Sequence, residues 1–65
     1  MALPAYDIFK KQDSELIWVE AAQDLESAKR RIEELAKQNR REHVVYDTRV
    51  KRIVASFDNQ LGMRT

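Results

Sequence analysis

The 65-residue chain contains no cysteine, one histidine, one glycine and one proline. Without cysteine there is no disulfide framework and no thiolate site for zinc or redox chemistry. One glycine is too few for the glycine-rich loops that hold phosphates in nucleotide-binding proteins. No apolar run approaches the roughly 20 residues of a membrane span, and the N-terminus lacks the pattern of a signal peptide. These absences predict a soluble cytoplasmic protein that binds no cofactor, metal or membrane.

Neither sign of charge dominates, because 12 Lys and Arg stand against 11 Asp and Glu. Hydrophobic residues make up 43% of the chain and charged residues 35%, a balance that favours a folded domain over a disordered chain. A domain of this size buries only about 60% of the surface of its unfolded chain, so its core is small. Because disulfides and metal are excluded, oligomerisation is the remaining way to gain stability.

Four strands and one helix are predicted, in the order ββαββ. Alternating, β-branched and aromatic residues predict strands at 6–11, 15–21, 43–47 and 52–57. Apolar residues three and four apart, among them Leu25, Ala28, Ile32, Leu35 and Ala36, predict a helix from Asp24 to about Asn39 or Arg40. Asp24 is its expected N-cap, with Gln23 as the competing choice. We therefore expect one α+β domain over 1–65, in which a mainly antiparallel four-stranded sheet carries one helix on one face. Its structured core spans 6–57, and 58–65 is a polar tail. The pattern does not determine the strand order.

One helix covers only one face of such a sheet, so the other face is expected to stay open. Turns centred between the strands predict four cross-strand pairs: Phe9–Trp18, Ile8–Val19, Tyr46–Ile53 and Val45–Val54. Since successive side chains point to opposite faces, Val44, Tyr46 and Ile53 are expected under the helix. The predicted open face, which is the candidate interface, consists of Phe9, Leu16, Trp18, Val45 and Val54.

An exposed apolar patch of this kind usually marks an interaction site. We therefore expect a small non-enzymatic binding or assembly domain that forms a homo-oligomer, most simply a two-fold dimer, or docks on a larger protein. Two alternatives stay open at this point. Trp18 is a core residue if the register slips by one, and a dimer through edge strands would also protect exposed backbone groups.

Nucleic-acid binding is the alternative function. Residues 27–65 hold ten basic residues against five acidic ones, and such clusters can bind phosphate backbones. The candidate contacts are Arg40, Arg41, Arg49, Lys51 and Arg52. Aromatic side chains on an open sheet can also stack bases. The net charge of +1 is, however, small for a domain of this class.

The sequence offers little for catalysis. His43 is the one imidazole, and Asp47 on the same face is four residues away, about 13 Å along a strand. A histidine at the start of a strand is expected to be exposed or at an edge. Asp7, Glu20 and Asp47 are expected to be rim charges of the sheet, since carboxylates that act as acid and base require desolvation. We therefore predict no enzyme activity.

Four motifs resemble those of a group of short uncharacterised bacterial proteins. They are Tyr6-x-Ile8-Phe9-Lys10, Trp18-Val19-Glu20, Asp24-Leu25-Glu26-x-Ala28-Lys29-x-Arg31 and Val44-Val45-Tyr46-Asp47-x-Arg49. The resemblance covers residues 6 to about 55. It implies a stand-alone ββαββ domain of unknown function and brings no activity, cofactor or catalytic residue with it.

Overall fold

The computed structural model describes residues 4–58. The elements are β1 (Tyr6–Gln12), β2 (Glu15–Ala22), α1 (Leu25–Asn39), β3 (His43–Asp47) and β4 (Arg52–Phe57). The strands form one antiparallel sheet in the order β2-β1-β3-β4, and α1 packs against all four of them. The predicted α+β fold and element order are confirmed. Apart from Asp58, the predicted polar tail lies outside the described residues.

A two-residue turn joins β1 to β2. Asp13 and Ser14 both have positive φ, at 52° and 76°, which is the backbone of the type I′ turn that suits the twist of a hairpin. Glycine is favoured at the second of these positions because a Cβ atom makes the left-handed region costly. The hairpin therefore forms with some local strain at Ser14.

Ser14→Gly is expected to raise the free energy of unfolding by about 1 kcal/mol, because it relieves this strain without removing a strand residue. The matched control is Ser56→Gly within β4, where glycine should lower stability by about 0.5–1 kcal/mol. Urea denaturation of both variants measures the difference. Equal effects of the two substitutions would contradict the turn assignment.

Both ends of α1 are capped. Asp24 has an extended backbone, and its Oδ1 accepts a hydrogen bond of 2.8 Å from the Ser27 backbone N–H. This hydrogen bond is the main reason that the pKa of Asp24 is lowered. At the other end Arg40 takes the left-handed conformation, and its N–H donates to the carbonyl of Ala36. The predicted N-cap is confirmed.

The core lies between α1 and one face of the sheet. Its fully or almost fully buried members are Ile8, Ala28, Ile32, Leu35 and Val45. Partly buried side chains that surround them are Tyr6, Val19, Ala22, Leu25, Ala55 and Phe57. The apolar residues at helical spacing, Leu25, Ala28, Ile32 and Leu35, are therefore the helical stripe that α1 packs against the sheet.

Register irregularities in both hairpins change which side chains reach this core. The predicted pairs Phe9–Trp18 and Tyr46–Ile53 are confirmed, but Ile8 lies opposite Glu20 and Val45 lies opposite Ala55. Val19 and Val54 are the extra residues of the two edge strands. The pairs Ile8–Val19 and Val45–Val54 were therefore wrong.

The predicted faces of β3 were also wrong. Val45 is 0% exposed in the core beneath α1, and Val44 and Tyr46 lie on the opposite face. The reason is that the polar residues His43 and Asp47, which begin and end β3, lie on the buried side with Val45. Each is stabilised there by a hydrogen bond of 2.8 Å, between His43 Nδ1 and the Arg41 carbonyl and from the Arg49 N–H to Asp47 Oδ1.

Candidate functional site

The sheet face away from α1 is the candidate site, and we call it the open face. Phe9 from β1 and Tyr46 from β3 lie on its two central strands, and their rings meet edge to face with centroids 6.2 Å apart. Trp18 from β2 lies beside Phe9, and its indole Nε1–H donates a hydrogen bond of 3.2 Å to Asp7 Oδ1. Three aromatic side chains on three adjacent strands thus form one continuous surface.

Large apolar side chains extend this surface to both edge strands. Leu16, Trp18 and Ile53 are 47%, 57% and 48% exposed. Four strands spaced about 4.8 Å apart and about 20 Å long present a face of about 400 Å². A face of this size with an apolar centre, on a 65-residue chain, is a candidate interaction site.

A charged pair lies at one end of the open face. The Lys11 backbone N–H donates to the carbonyl of Glu42 at 2.8 Å, and Lys11 Nζ lies 3.6 Å from Glu42 Oε1. Asp7 lies at the other end of β1. The aromatic centre is therefore bordered by both positive and negative side chains, and not by charges of a single sign.

The structure brings together only part of the predicted interface. Phe9, Leu16 and Trp18 lie side by side on the open face, whereas Val45 belongs to the core beneath α1. Val54 is an exposed residue of the edge strand β4 with no Cα partner in the β3–β4 register. The alternative that Trp18 is a core residue is wrong, since its side chain is more than half exposed.

Tyr46 and Ile53 belong to the open face and were not predicted to do so. The missing information was the pairing of β1 with β3, in which Ile8 lies opposite Val45 and Phe9 opposite Val44. Because Val44, Val45 and Tyr46 are all apolar, the alternation within β3 does not say which side faces the helix. The polarity of His43 and Asp47 favoured the wrong side.

The edge strands are poorly suited to pairing with a second sheet. β2 and β4 form the two edges, and each carries one extra residue at an irregular position. Bulges of this kind twist an edge strand and interrupt its row of free backbone groups, which discourages edge-to-edge association. The geometry therefore favours association through the open face over association through an edge.

The five candidate nucleic-acid contacts do not form one surface. Arg40 and Arg41 lie between α1 and β3, whereas Arg49, Lys51 and Arg52 lie at or beside the β3–β4 turn. The whole length of β3, about 17 Å, separates the two groups.

Arg49 is also held by its own neighbours. Its guanidinium donates to both carboxylate oxygens of Asp47 at 3.3 Å and to the Tyr6 hydroxyl at 2.7 Å. The same group stacks 5.3 Å from the centroid of the Tyr6 ring. A phosphate would have to compete with these contacts, so Arg49 is better explained as a residue that fixes the β3–β4 turn.

The Arg49 guanidinium lowers the pKa of Asp47, and its hydrogen bond is the main cause. A lowered pKa means that the Asp47 carboxylate contributes stability above its ordinary pKa of about 3.9, and that this contribution is lost as the pH falls through the lower folded-state pKa. Asp47→Asn is therefore expected to reduce the loss of stability between pH 7 and strongly acidic pH. Urea denaturation as a function of pH measures this, with the exposed Glu33→Gln as control. An unchanged pH dependence in Asp47→Asn would contradict the role assigned to this pair.

No arrangement that suggests catalysis is found within residues 4–58. His43 is fully buried, which corrects the expectation that it is exposed, and its Nε2 atom has no hydrogen-bond partner among these residues. No three His, Asp or Glu side chains in this range are grouped to hold a metal ion. A groove of about 160 Å³ between α1 and β4 is smaller than the roughly 300–1,000 Å³ of typical ligand pockets.

The predicted rim acids have other partners. Asp7 bonds to Trp18, and Glu20 Oε2 accepts a hydrogen bond of 2.9 Å from Arg31 Nε on α1. The bond to Glu20 ties α1 to the edge strand β2, and Arg31 also donates to Glu34 within the helix. The pKa of Arg31 is raised, mainly by its hydrogen bond to Glu20. These acids stabilise the fold and are not paired with one another.

Comparison with known proteins gives no match: no protein-family model, no curated protein and no solved structure matches this chain. The resemblance to uncharacterised bacterial proteins therefore stays a prediction. In the described part of the chain, the helix lacks the length and apolar character needed to cross a membrane.

Proposed function

We propose that this protein is a small non-enzymatic assembly domain that forms a homodimer through its open face. The observation that carries the proposal is the exposure of Leu16, Trp18 and Ile53 on one contiguous surface with Phe9 and Tyr46. A face with this apolar centre gains free energy when it is removed from water. A second copy is the partner that the surface itself supports, because charges of both signs border the face.

The area of the face sets the expected affinity. Two faces of about 400 Å² bury about 800 Å² in total, less than the roughly 1,200–2,000 Å² of stable complexes. We therefore expect a reversible dimer with a dissociation constant in the micromolar range, about 1–100 µM.

Sedimentation equilibrium between about 1 and 500 µM tests the proposal, because this range brackets the expected dissociation constant. The average mass should rise from that of the 7.7 kDa monomer to twice that value. Trp18 is the one tryptophan of the chain, so its fluorescence emission should shift to the blue over the same range as the indole leaves water. A monomer at every concentration would overturn the proposal.

Binding to nucleic acid is tested in parallel. The proposal predicts no binding of generic single-stranded or double-stranded DNA or RNA at low salt. Binding that weakens steeply between about 50 and 200 mM salt is the signature of phosphate contacts. Such a result, together with a monomeric protein, would favour the basic C-terminal half as the functional surface.

A further inference from the structure

The open face is a grid of side chains in three rows that run across the strands. One row contains Ala21, Asp7, Tyr46 and Ile53 from β2, β1, β3 and β4. The middle row contains Trp18, Phe9, Val44 and Ser56. The third contains Leu16 and Lys11, with Glu42 beside Lys11.

In each row the side chains on β2 and β1 differ in size, charge or hydrogen-bonding capacity from those on the β3 and β4 side of the sheet. The middle row has its two large aromatic side chains on β2 and β1 and its smaller Val44 and Ser56 on β3 and β4. The third row has the cation of Lys11 on β1 and the anion of Glu42 next to it, in the residue that precedes β3. The first row places the acceptor Asp7 beside the hydroxyl donor of Tyr46.

We infer that the two copies pack face to face about a two-fold axis that runs parallel to the strands, between β1 and β3. This inference rests on the proposed dimer and specifies its geometry. Such an axis places β1 of one copy over β3 of the other, and each row of one copy lies opposite the same row of the other. The facing pairs are Phe9 with the partner's Val44, Trp18 with the partner's Ser56, Ala21 with the partner's Ile53, Lys11 with the partner's Glu42 and Asp7 with the partner's Tyr46.

The five facing pairs are complementary in size or charge; Val44 is only 4% exposed and so lies at the bottom of the face opposite Phe9, and Leu16 is not among these pairs. Large side chains meet small ones, which lets the two faces interdigitate as the layers of a packed core do. Lys11 meets a carboxylate, and Asp7 meets a hydroxyl donor. The symmetry provides each contact twice, so the two polar pairs fix the register at both ends of the aromatic centre.

A two-fold axis across the strands is the competing geometry. It would also pair opposite charges, since Lys11 would meet the partner's Asp7. However, it places Trp18 against the partner's Trp18 and Phe9 against the partner's Phe9, with Ser56 on Ser56 at the far edge. In this middle row large side chains face large ones and small face small, so the centres of the two surfaces interdigitate poorly, although Leu16 would face the partner's smaller Ala21. Side-chain size therefore decides between the two axes.

A charge-reversal experiment distinguishes these geometries. In the inferred dimer Lys11→Glu places two carboxylates in contact across the axis, and Glu42→Lys places two ammonium groups in contact. Each variant alone should weaken dimerisation at least about tenfold, because like charges are brought together twice. In the competing geometry Glu42 faces the partner's Tyr46, so Glu42→Lys alone would leave the dimer intact.

Mixing the two variants provides the decisive measurement. In a mixed dimer the two substituted side chains meet as one pair of opposite charges, and the unchanged Glu42 of one chain meets the unchanged Lys11 of the other. The mixture should therefore associate at least about tenfold more tightly than either variant alone. Native mass spectrometry with one variant isotopically labelled detects the mixed dimer. Within each chain of that dimer the Lys11–Glu42 pair is still broken, so recovery reports contacts between chains and not within them.

Two controls make every outcome informative. Circular dichroism should show that both variants remain folded, because an exposed pair of this kind contributes little to stability. The double variant Lys11→Glu/Glu42→Lys should dimerise like the parent, since it exchanges both charges. A dimeric parent with an intact Glu42→Lys dimer, or with no mixed dimer, overturns the inferred axis alone. A monomeric parent overturns the proposed function as well.

Discussion

Leu35→Ala is expected to lower the free energy of unfolding by about 2–5 kcal/mol, the range for removing a buried leucine from a packed core. Leu35 lies in the last turns of α1 and is packed in the cluster with Ile8, Ile32 and Val45. Within residues 4–58 the sheet has no second helix that could move into the cavity. Small domains have only about 5–15 kcal/mol of stability in all, so the variant should be largely unfolded well below the melting temperature of the parent.

Thermal and urea denaturation of the parent and the variant measure this effect. Lys29→Ala is the matched control on the same helix, because Lys29 is exposed and a surface substitution changes stability by at most about 0.5 kcal/mol. If Leu35→Ala melted within a few degrees of the parent while remaining fully folded, the assignment of the helical stripe to the core would be wrong.

Trp18→Glu is expected to weaken dimerisation at least about thirtyfold, the loss typical of removing an aromatic hot-spot residue from an interface. The substitution also places a carboxylate in the middle of an apolar surface and next to Asp7. Since Trp18 is largely exposed in the single chain, the variant should remain folded. Sedimentation equilibrium should then show a monomer, and circular dichroism should show a spectrum close to that of the parent.

Two further variants show where the interface lies. Val50→Glu is the control, because Val50 is 54% exposed in the β3–β4 turn, beyond the ends of the strands. It introduces the same charge at a similarly exposed apolar residue and should leave the dimer intact. Ile53→Glu on β4 should disrupt the dimer as Trp18→Glu does. A dimer sensitive to Trp18→Glu but not to Ile53→Glu would indicate pairing through the β2 edge instead of the open face.

The hairpin registers show how far local pattern can predict contacts. Turn lengths between strands correctly predicted the pairs Phe9–Trp18 and Tyr46–Ile53, which lie toward the turns. Beyond the irregular positions in β2 and β4 the predicted pairs failed, because a single extra residue shifts every later partner. No glycine lies at either irregular position, so the sequence pattern did not predict them.

The sequence by itself determined the order of the elements, the apolar stripe of α1 and the N-cap at Asp24. It also determined that Phe9, Leu16 and Trp18 lie on a face away from the helix. Each depends on residues close together in the chain, where periodicity and turn chemistry act directly. Only the tertiary structure decided that Val45 is core and that Tyr46 and Ile53 complete the open face. Which residues of β3 face the helix depends on the pairing of β1 with β3, two strands that are separated in the sequence by β2 and α1. It also depends on the hydrogen bonds of His43 Nδ1 and Asp47 Oδ1, which offset part of the cost of burying these two polar side chains.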